Sequence, residues 1–124
     1  MGDKLFYIAL ATSIAGLILL TYASNVLEPK IIEISEIDSN YLYKNVHVRG
    51  EIVDLRKFES GSILFAVEDK TGSIKVFIYY TDAEKLNTGN IEEGRIADVI
   101  GTLEFYEDEL EIKVNDYKHF NIVE

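Results

Sequence analysis

The hydrophobic rhythm of the chain changes once, near position 45, and that change limits what the chain can fold into. Before it, Leu5–Leu27 (LFYIALATSIAGLILLTYASNVL) runs without a charge, and its apolar residues surround the whole helical circumference instead of forming one stripe. After it, apolar residues recur at every second position, the spacing that turns one face of a strand inward and the other toward water. An all-round apolar helix needs lipid or protein on every side. An every-other-residue pattern needs a sheet that curls to hide one face.

At 1.5 Å per residue, Leu5–Ala23 extends roughly 28 Å, close to the hydrocarbon thickness of a bilayer. Tyr7 and Tyr22 stand near its two ends, where amphipathic rings favour the membrane interface. Residues 1–27 therefore read as a transmembrane anchor, single-pass. The alternative is a cleaved leader, with Met-Gly-Asp-Lys as a short n-region and Thr21-Tyr22-Ala23 as a mediocre small-residue site. Lys4 and the N-terminal amine precede the segment and Lys30 follows it, so the cation bias is nearly balanced; it is read with the N-terminus inside and the remainder extracytoplasmic. Pro29 ends the helix because it lacks a donor and restricts Glu28 before it. Residues 28–44 form a connector. Ile31, Ile32 and Ile34 are extended, and Ser35-Glu36-Ile37-Asp38 has the form of a capping box, which predicts a short helix from Glu36 to about Tyr43 with Ile37, Tyr41 and Leu42 packed on the next domain.

Residues 45–124 read as five strands. Val46, Val48 and Ile52 alternate with His47, Arg49 and Glu51, and Gly50 marks a bulge or sharp bend. Ser62–Glu68 carries Ile63, Phe65 and Val67 on one face; Asp69-Lys70-Thr71-Gly72-Ser73 is a hairpin loop with glycine at its left-handed position. Ile74, Val76 and Ile78 follow, alternating with Lys75, Phe77 and Tyr79. Thr81–Leu86 is a helical turn, Arg95–Tyr106 a long strand containing Gly101, Glu107-Asp108-Glu109 a turn, and Leu110–Val123 a last strand with a register shift before Tyr117 and Phe120. Five strands, a short helix between the third and fourth, and glycines where the first and fourth must coil match an all-β, five-stranded OB-fold Greek-key barrel. Closure removes most exposed edges.

The runs Val46-His-Val-Arg-Gly50-Glu-Ile-Val, Phe65-Ala-Val-Glu-Asp69-Lys-Thr-Gly72-Ser-Ile-Lys-Val76 and Asp98-Val-Ile-Gly101-Thr-Leu resemble the OB-fold nucleic-acid-binding domains of the tRNA-anticodon and replication-protein-A-like type over about residues 45–122. Archaeal domains of this type with an added N-terminal anchor look like this chain. The resemblance implies single-stranded DNA or RNA as partner, with bases stacked over the second and third strands. Lys75, Phe77 and Tyr79 on the third strand, Arg49 on the first, Arg56, Lys57 and Phe58 near the first loop, and Tyr106 near the last hairpin combine the aromatics and cations such binding needs. The layout is also similar to the periplasmic haem chaperone of cytochrome c maturation, which has one anchor and one OB barrel. That family carries haem on a histidine in H-x-x-x-Y; here the fourth residue after His119 is Val123. A haem or other small-ligand carrier is thus a third alternative.

Charge argues the other way from nucleic acid. The net charge is −10, which repels polyanions at long range, so any nucleic-acid contact must be local. Glu104, Glu107, Asp108, Glu109 and Glu111 crowd the last hairpin and suit a basic protein partner, which makes a protein-interaction or assembly module the second reading. The absence of cysteine excludes disulfides, thiolate metal sites and cysteine nucleophiles. No nucleophile–base arrangement or phosphate loop is present, the acidic run lacks the ligand spacing of a calcium loop, and no cofactor is implied. The expectation is a membrane-anchored, non-catalytic binding module.

Overall fold

The computed structural model describes residues 2–26 and 29–124, with the side chains of 3–19 and 29–124. Helix α1 spans Gly2–Val26, followed by strands β1 (Asn45–Lys57), β2 (Ile63–Glu68) and β3 (Ser73–Ile78), helix α2 (Tyr80–Ala83), and strands β4 (Ile96–Tyr106), β5 (Glu109–Val114) and β6 (Phe120–Ile122). Along the sheet the order is β1-β2-β3-β5-β4-β6, and pairing of β1 with β4 closes the ring. All neighbours are antiparallel except β3 and β5, which run parallel. The result is a mostly β OB fold with short helices.

The alternation expected from sequence fills the barrel. Val46, Val48 and Ile52 on β1, Ile63, Phe65 and Val67 on β2, Ile74, Val76 and Ile78 on β3, and Ile112 and Val114 on β5 are all buried in one cluster with Ala97, Val99 and Leu103 of β4. Burying each of the larger side chains contributes about 1.5–3 kcal/mol. The Phe65 and Phe120 rings meet edge to face with centroids 5.6 Å apart.

Six strands replace the expected five. The stretch read as one last strand divides because β5 has two duties. It pairs with the Thr102–Tyr106 half of β4 and swings across to pair with Lys75–Ile78 of β3. The chain turns at Tyr117–His119, where the Asp116 carboxylate accepts the Lys118 N–H, and returns to Ala97–Val99 of β4 as β6. The register shift before Phe120 was this turn.

Three local expectations also need correction. Gly50 carries no bulge, since β1–β4 pairing runs unbroken through Arg49, Gly50 and Glu51. A Cβ at Gly50 would lie 2.5 Å from the Glu68 carbonyl oxygen, and one at Gly101 2.5 Å from that of Lys113. Both glycines therefore serve close strand crossing. The irregularity falls between Val53 and Arg56, with Asp54 at φ 53°. Second, Gly72 is not left-handed; the left-handed glycines among the described residues are Gly61 and Gly94. The loop is held by Asp69, whose carboxylate accepts from the Thr71 N–H and hydroxyl, the Gly72 N–H and the Ile34 N–H. Burial pushes the Asp69 carboxyl up, but these donors outweigh it and hold it below the usual range.

Third, the connector forms no helix over Glu36–Tyr43. It makes two 3-10 turns, Ile34–Glu36 and Ser39–Tyr41. Ser35 gives its N–H to the Thr71 hydroxyl instead of capping, and Asp38 caps the second turn by accepting the Asn40 N–H. Ile31 pairs with His47 alongside β1, and Ile37 and Tyr41 pack on the core. The helix expected over Thr81–Leu86 begins and ends earlier, as α2.

The transmembrane helix expected over Leu5–Leu27 is not confirmed. Among the described residues no helix is long and apolar enough to cross a membrane. The described side chains of α1 stop at Leu19, and Leu27, Glu28 and the Tyr22 side chain lie outside the described residues; Pro29, the expected stop, is described and is not helical.

Candidate functional site

Strand registers place the outward side chains in rows. Arg56 of β1 faces Leu64 of β2, Leu64 faces Phe77 of β3, Phe77 faces Lys113 of β5, and Lys113 faces Thr102 of β4. The neighbouring row runs Ala66, Lys75, Glu111 and Glu104 across the same strands. Adjacent strands lie about 4.8 Å apart, so each row is a ladder of closely spaced contacts. Above the rows lies a cleft of about 430 Å³, whose lining includes the rings of Phe58, Phe105 and Tyr106. Phe105 is 52% and Tyr106 63% exposed, which is costly for rings that size unless something covers them. Phe77 is half-buried and continues into an aromatic strip, with its centroid 6.4 Å from that of Tyr79, which lies 4.8 Å from that of Tyr80.

The cations of the cleft are not equivalent. Lys75 Nζ bonds Glu109 at 2.6 Å. That hydrogen bond, the Glu109 charge, and the more distant Glu111 and Glu107 hold the Lys75 ammonium above its usual range, so it stays charged and is paired with the hairpin. Arg56 and Lys113 make no hydrogen bond or ion pair among the described side chains, and both are exposed. Glu111 and Glu104 are directly opposite across β4–β5 and half-buried. Burial is the main cause lifting the Glu111 carboxyl above the usual carboxylate range; Lys75 opposes it, and Glu104, Glu109 and Glu107 add to it. The hairpin carrying these groups turns through Glu107 (φ 51°) and Asp108 (φ 65°), a left-handed pair built without glycine.

Of the side chains singled out from sequence, the cleft gathers Arg56, Phe58, Lys75, Phe77, Tyr79 and Tyr106 together with Glu104, Glu107 and Glu111. Arg49 does not join them. It lies on the β1–β4 face, 3.8 Å from Asp98, beside a buried His47 whose Nδ1 faces the Pro29 carbonyl oxygen at 2.9 Å and whose Nε2 faces Asp98 at 2.5 Å. That group ties the connector to the barrel. Lys57 also leaves the cleft, because strand alternation turns it from Arg56, and its Nζ donates to the Thr88 carbonyl at 2.9 Å. Asp108 forms the hairpin tip, and Glu109 meets the cleft only through Lys75. Arg56 and Lys57 close β1, next to the first loop as expected. Sequence reading missed Leu64, Phe105 and Lys113. Lys113 enters through the parallel β3–β5 pairing, which no local pattern encodes; Phe105 lies in phase with the buried Leu103, so alternation points it inward although it is 52% exposed.

Comparison with known proteins bears on this surface. Residues 46–120 match the family described as OB-fold nucleic acid binding domain. The large subunit of exodeoxyribonuclease 7 from Mesoplasma florum is 34% identical over 89 residues, covering 64% of this chain and 22% of that protein. The chain thus spans about a fifth of the length of the curated relatives it matches. The second OB-fold domain of replication protein A from Methanococcus maripaludis superposes with a TM-score of 0.57 at 22% identity, covering 77% of this chain and 96% of that one. A replication protein A heterotrimer bound to ssDNA gives a TM-score of 0.51 at 20% identity, covering 64% of this chain and 57% of that one. At these identities the structural likeness speaks for the fold alone.

Proposed function

This chain belongs to the OB-fold nucleic acid binding domain family, and on that premise we propose that its cleft holds a single strand of DNA or RNA across the outer face of β2, β3 and β5. The observation that carries the reading is the row Arg56–Leu64–Phe77–Lys113, with a stacking ring between two cations free to meet phosphates. Base-on-aromatic stacking contributes about 1–3 kcal/mol per base and tolerates any sequence. Two phosphate contacts give a salt dependence with slope of about −0.7 per contact for single strands. Local cations work against an overall charge of −10, so binding is weak at physiological salt and visible at low salt. The barrel's contribution is binding rather than catalysis; the relatives are subunits of an enzyme most of whose length this chain does not share. Fluorescence anisotropy of labelled oligonucleotides with the full chain tests the proposal. Salt-sensitive binding of single strands is expected, and no binding to any oligonucleotide at low ionic strength overturns it.

A second reading concerns α1 and rests on the exposed Leu5, Phe6, Ile8, Leu10 and Ile14 around its circumference. We propose that this surface meets lipid and that the barrel is displayed beside a membrane, on the outer side. The full chain is then expected to stay with the membrane pellet after an alkaline carbonate wash. Release into the supernatant contradicts the proposal.

A further inference from the structure

The cleft contains an arrangement that phosphate binding does not use. Glu104 and Glu111 face each other across β4–β5, one row away from Phe77. Directly opposed like charges destabilise a sheet. Both are half-buried and line the same cleft as Phe105, Tyr106 and Lys75, so they are not a fully solvated charge run. Lys75, the nearest cation, is engaged by Glu109 at 2.6 Å. Lys75 acts on Glu111 only through its charge, and neither carboxylate accepts a hydrogen bond among the described side chains, beside a ring suited to stack a base. Ionised carboxylates are acceptor-only, and a carboxylate pairs best with a group offering two adjacent N–H donors.

We propose that Glu104 and Glu111 read the base stacked on Phe77 and select guanine over thymine or uracil. This rests on the single-strand reading of the cleft and adds a base preference to it. Guanine presents a ring N–H beside an exocyclic amino group on one edge, a two-donor match for a carboxylate. Thymine and uracil present one N–H flanked by carbonyl oxygens, which place acceptors against acceptors. Cytosine and adenine, with one amino group each, fall between. A basic peptide would also supply donors to the two carboxylates. Arg56 and Lys113, which flank Phe77 in the next row, disfavour it and favour a ligand that carries anionic phosphates on both sides of its donor group.

The test uses the full chain in non-ionic detergent at low ionic strength and three labelled strands. These are an oligothymidine, the same strand with isolated central guanines, and that strand with inosine, which lacks the exocyclic amino group, at those positions. The guanine strand is expected to bind about tenfold more tightly than the inosine and thymidine strands. In the double variant Glu104→Gln, Glu111→Gln that preference disappears, while overall binding tightens because two repelling charges are gone. Equal binding of all three strands by the wild-type chain, or an unchanged guanine preference in the double variant, overturns the base-reading proposal and leaves the single-strand reading standing. No binding of any strand, with an arginine-rich peptide bound in a way that the double variant abolishes, overturns both. The base substitutions need no protein variant, so the proposal stays testable even if the double variant fails to fold.

Discussion

Phe65→Ala is expected to lower folding stability by about 3–5 kcal/mol, a large share of the roughly 5–15 kcal/mol that holds a domain folded. Phe65 projects from β2 into the barrel at 1% exposure and meets Phe120 edge to face at 5.6 Å. Its removal opens a cavity between strands that cannot close around it. Gly50 and Gly101 already bring β1 against Glu68 and β4 against Lys113 at distances where even a methyl group would collide, so the strands have no slack in one direction and are hydrogen-bonded in the other. The same substitution also uncouples β6, since Phe120 is the residue that carries the short last strand back into the core. Urea unfolding of the full chain in non-ionic detergent, followed by near-UV circular dichroism, is the measurement. A lower midpoint with an unchanged slope is expected, and a loss under 1 kcal/mol would mean that this ring does not fill the barrel.

What sequence reading reached and what it missed divide along one line, the sequence distance over which a feature is encoded. Period-two alternation is local, and it placed Val46, Val48, Phe65, Val76 and Ile112 in the core. Gly50 and Gly101 were marked as special for the correct strands but for the wrong reason. A bulge and a close crossing leave the same single glycine in the sequence, and only the partner strand tells them apart. Asp69 shows the same ambiguity from the other side. Asp-Lys-Thr-Gly reads as a glycine turn, yet an aspartate with four donors around it makes the left-handed glycine unnecessary and recruits the Ile34 N–H from far upstream. The division of the last strand is non-local altogether, because β5 must satisfy both β3 and β4 and no window of residues around Asn115 contains either partner.

The site follows the same division. Outward-facing Lys75, Phe77 and Tyr79 could be read from β3 alone, and they do line the cleft. Which cations stand beside Phe77 could not, because that depends on registers between strands far apart in the chain. Arg49 and Lys57 looked equivalent to Arg56 from composition. Arg49 stands instead by Asp98, and Lys57 donates to Thr88, while Lys113 takes the place they were expected to fill. Electrostatics completes the reassignment. Lys75, central by position, is paired with Glu109, so a phosphate must compete with a carboxylate for it. A surface ion pair of this kind contributes little, about 0–1 kcal/mol, so it biases a phosphate toward Lys113 and Arg56 without removing Lys75.

Phe77→Ala is therefore expected to weaken single-strand binding by about tenfold to a hundredfold, the range that corresponds to losing one stacked base. Phe77 is half-buried on the outer face with Leu64 and Lys113 opposite, so its loss leaves a shallower groove and not an internal void, and the fold persists. Lys113→Ala and Arg56→Ala should each weaken binding less, and each should reduce the salt slope by about 0.7, because each removes one phosphate contact to a single strand. Phe77→Ala should leave that slope alone, since a ring releases no counterions. The two kinds of loss separate the roles within one experiment: anisotropy titrations at two or more salt concentrations give both the affinity and the slope. Lys75→Ala should change the slope less than Lys113→Ala does, as Glu109 already pairs with that ammonium, and Arg49→Ala should change neither quantity. Equal slope changes for all four cation variants would mean that the strand is held by the diffuse charge of the barrel surface, and that the ordered row from Arg56 to Lys113 has no part in binding.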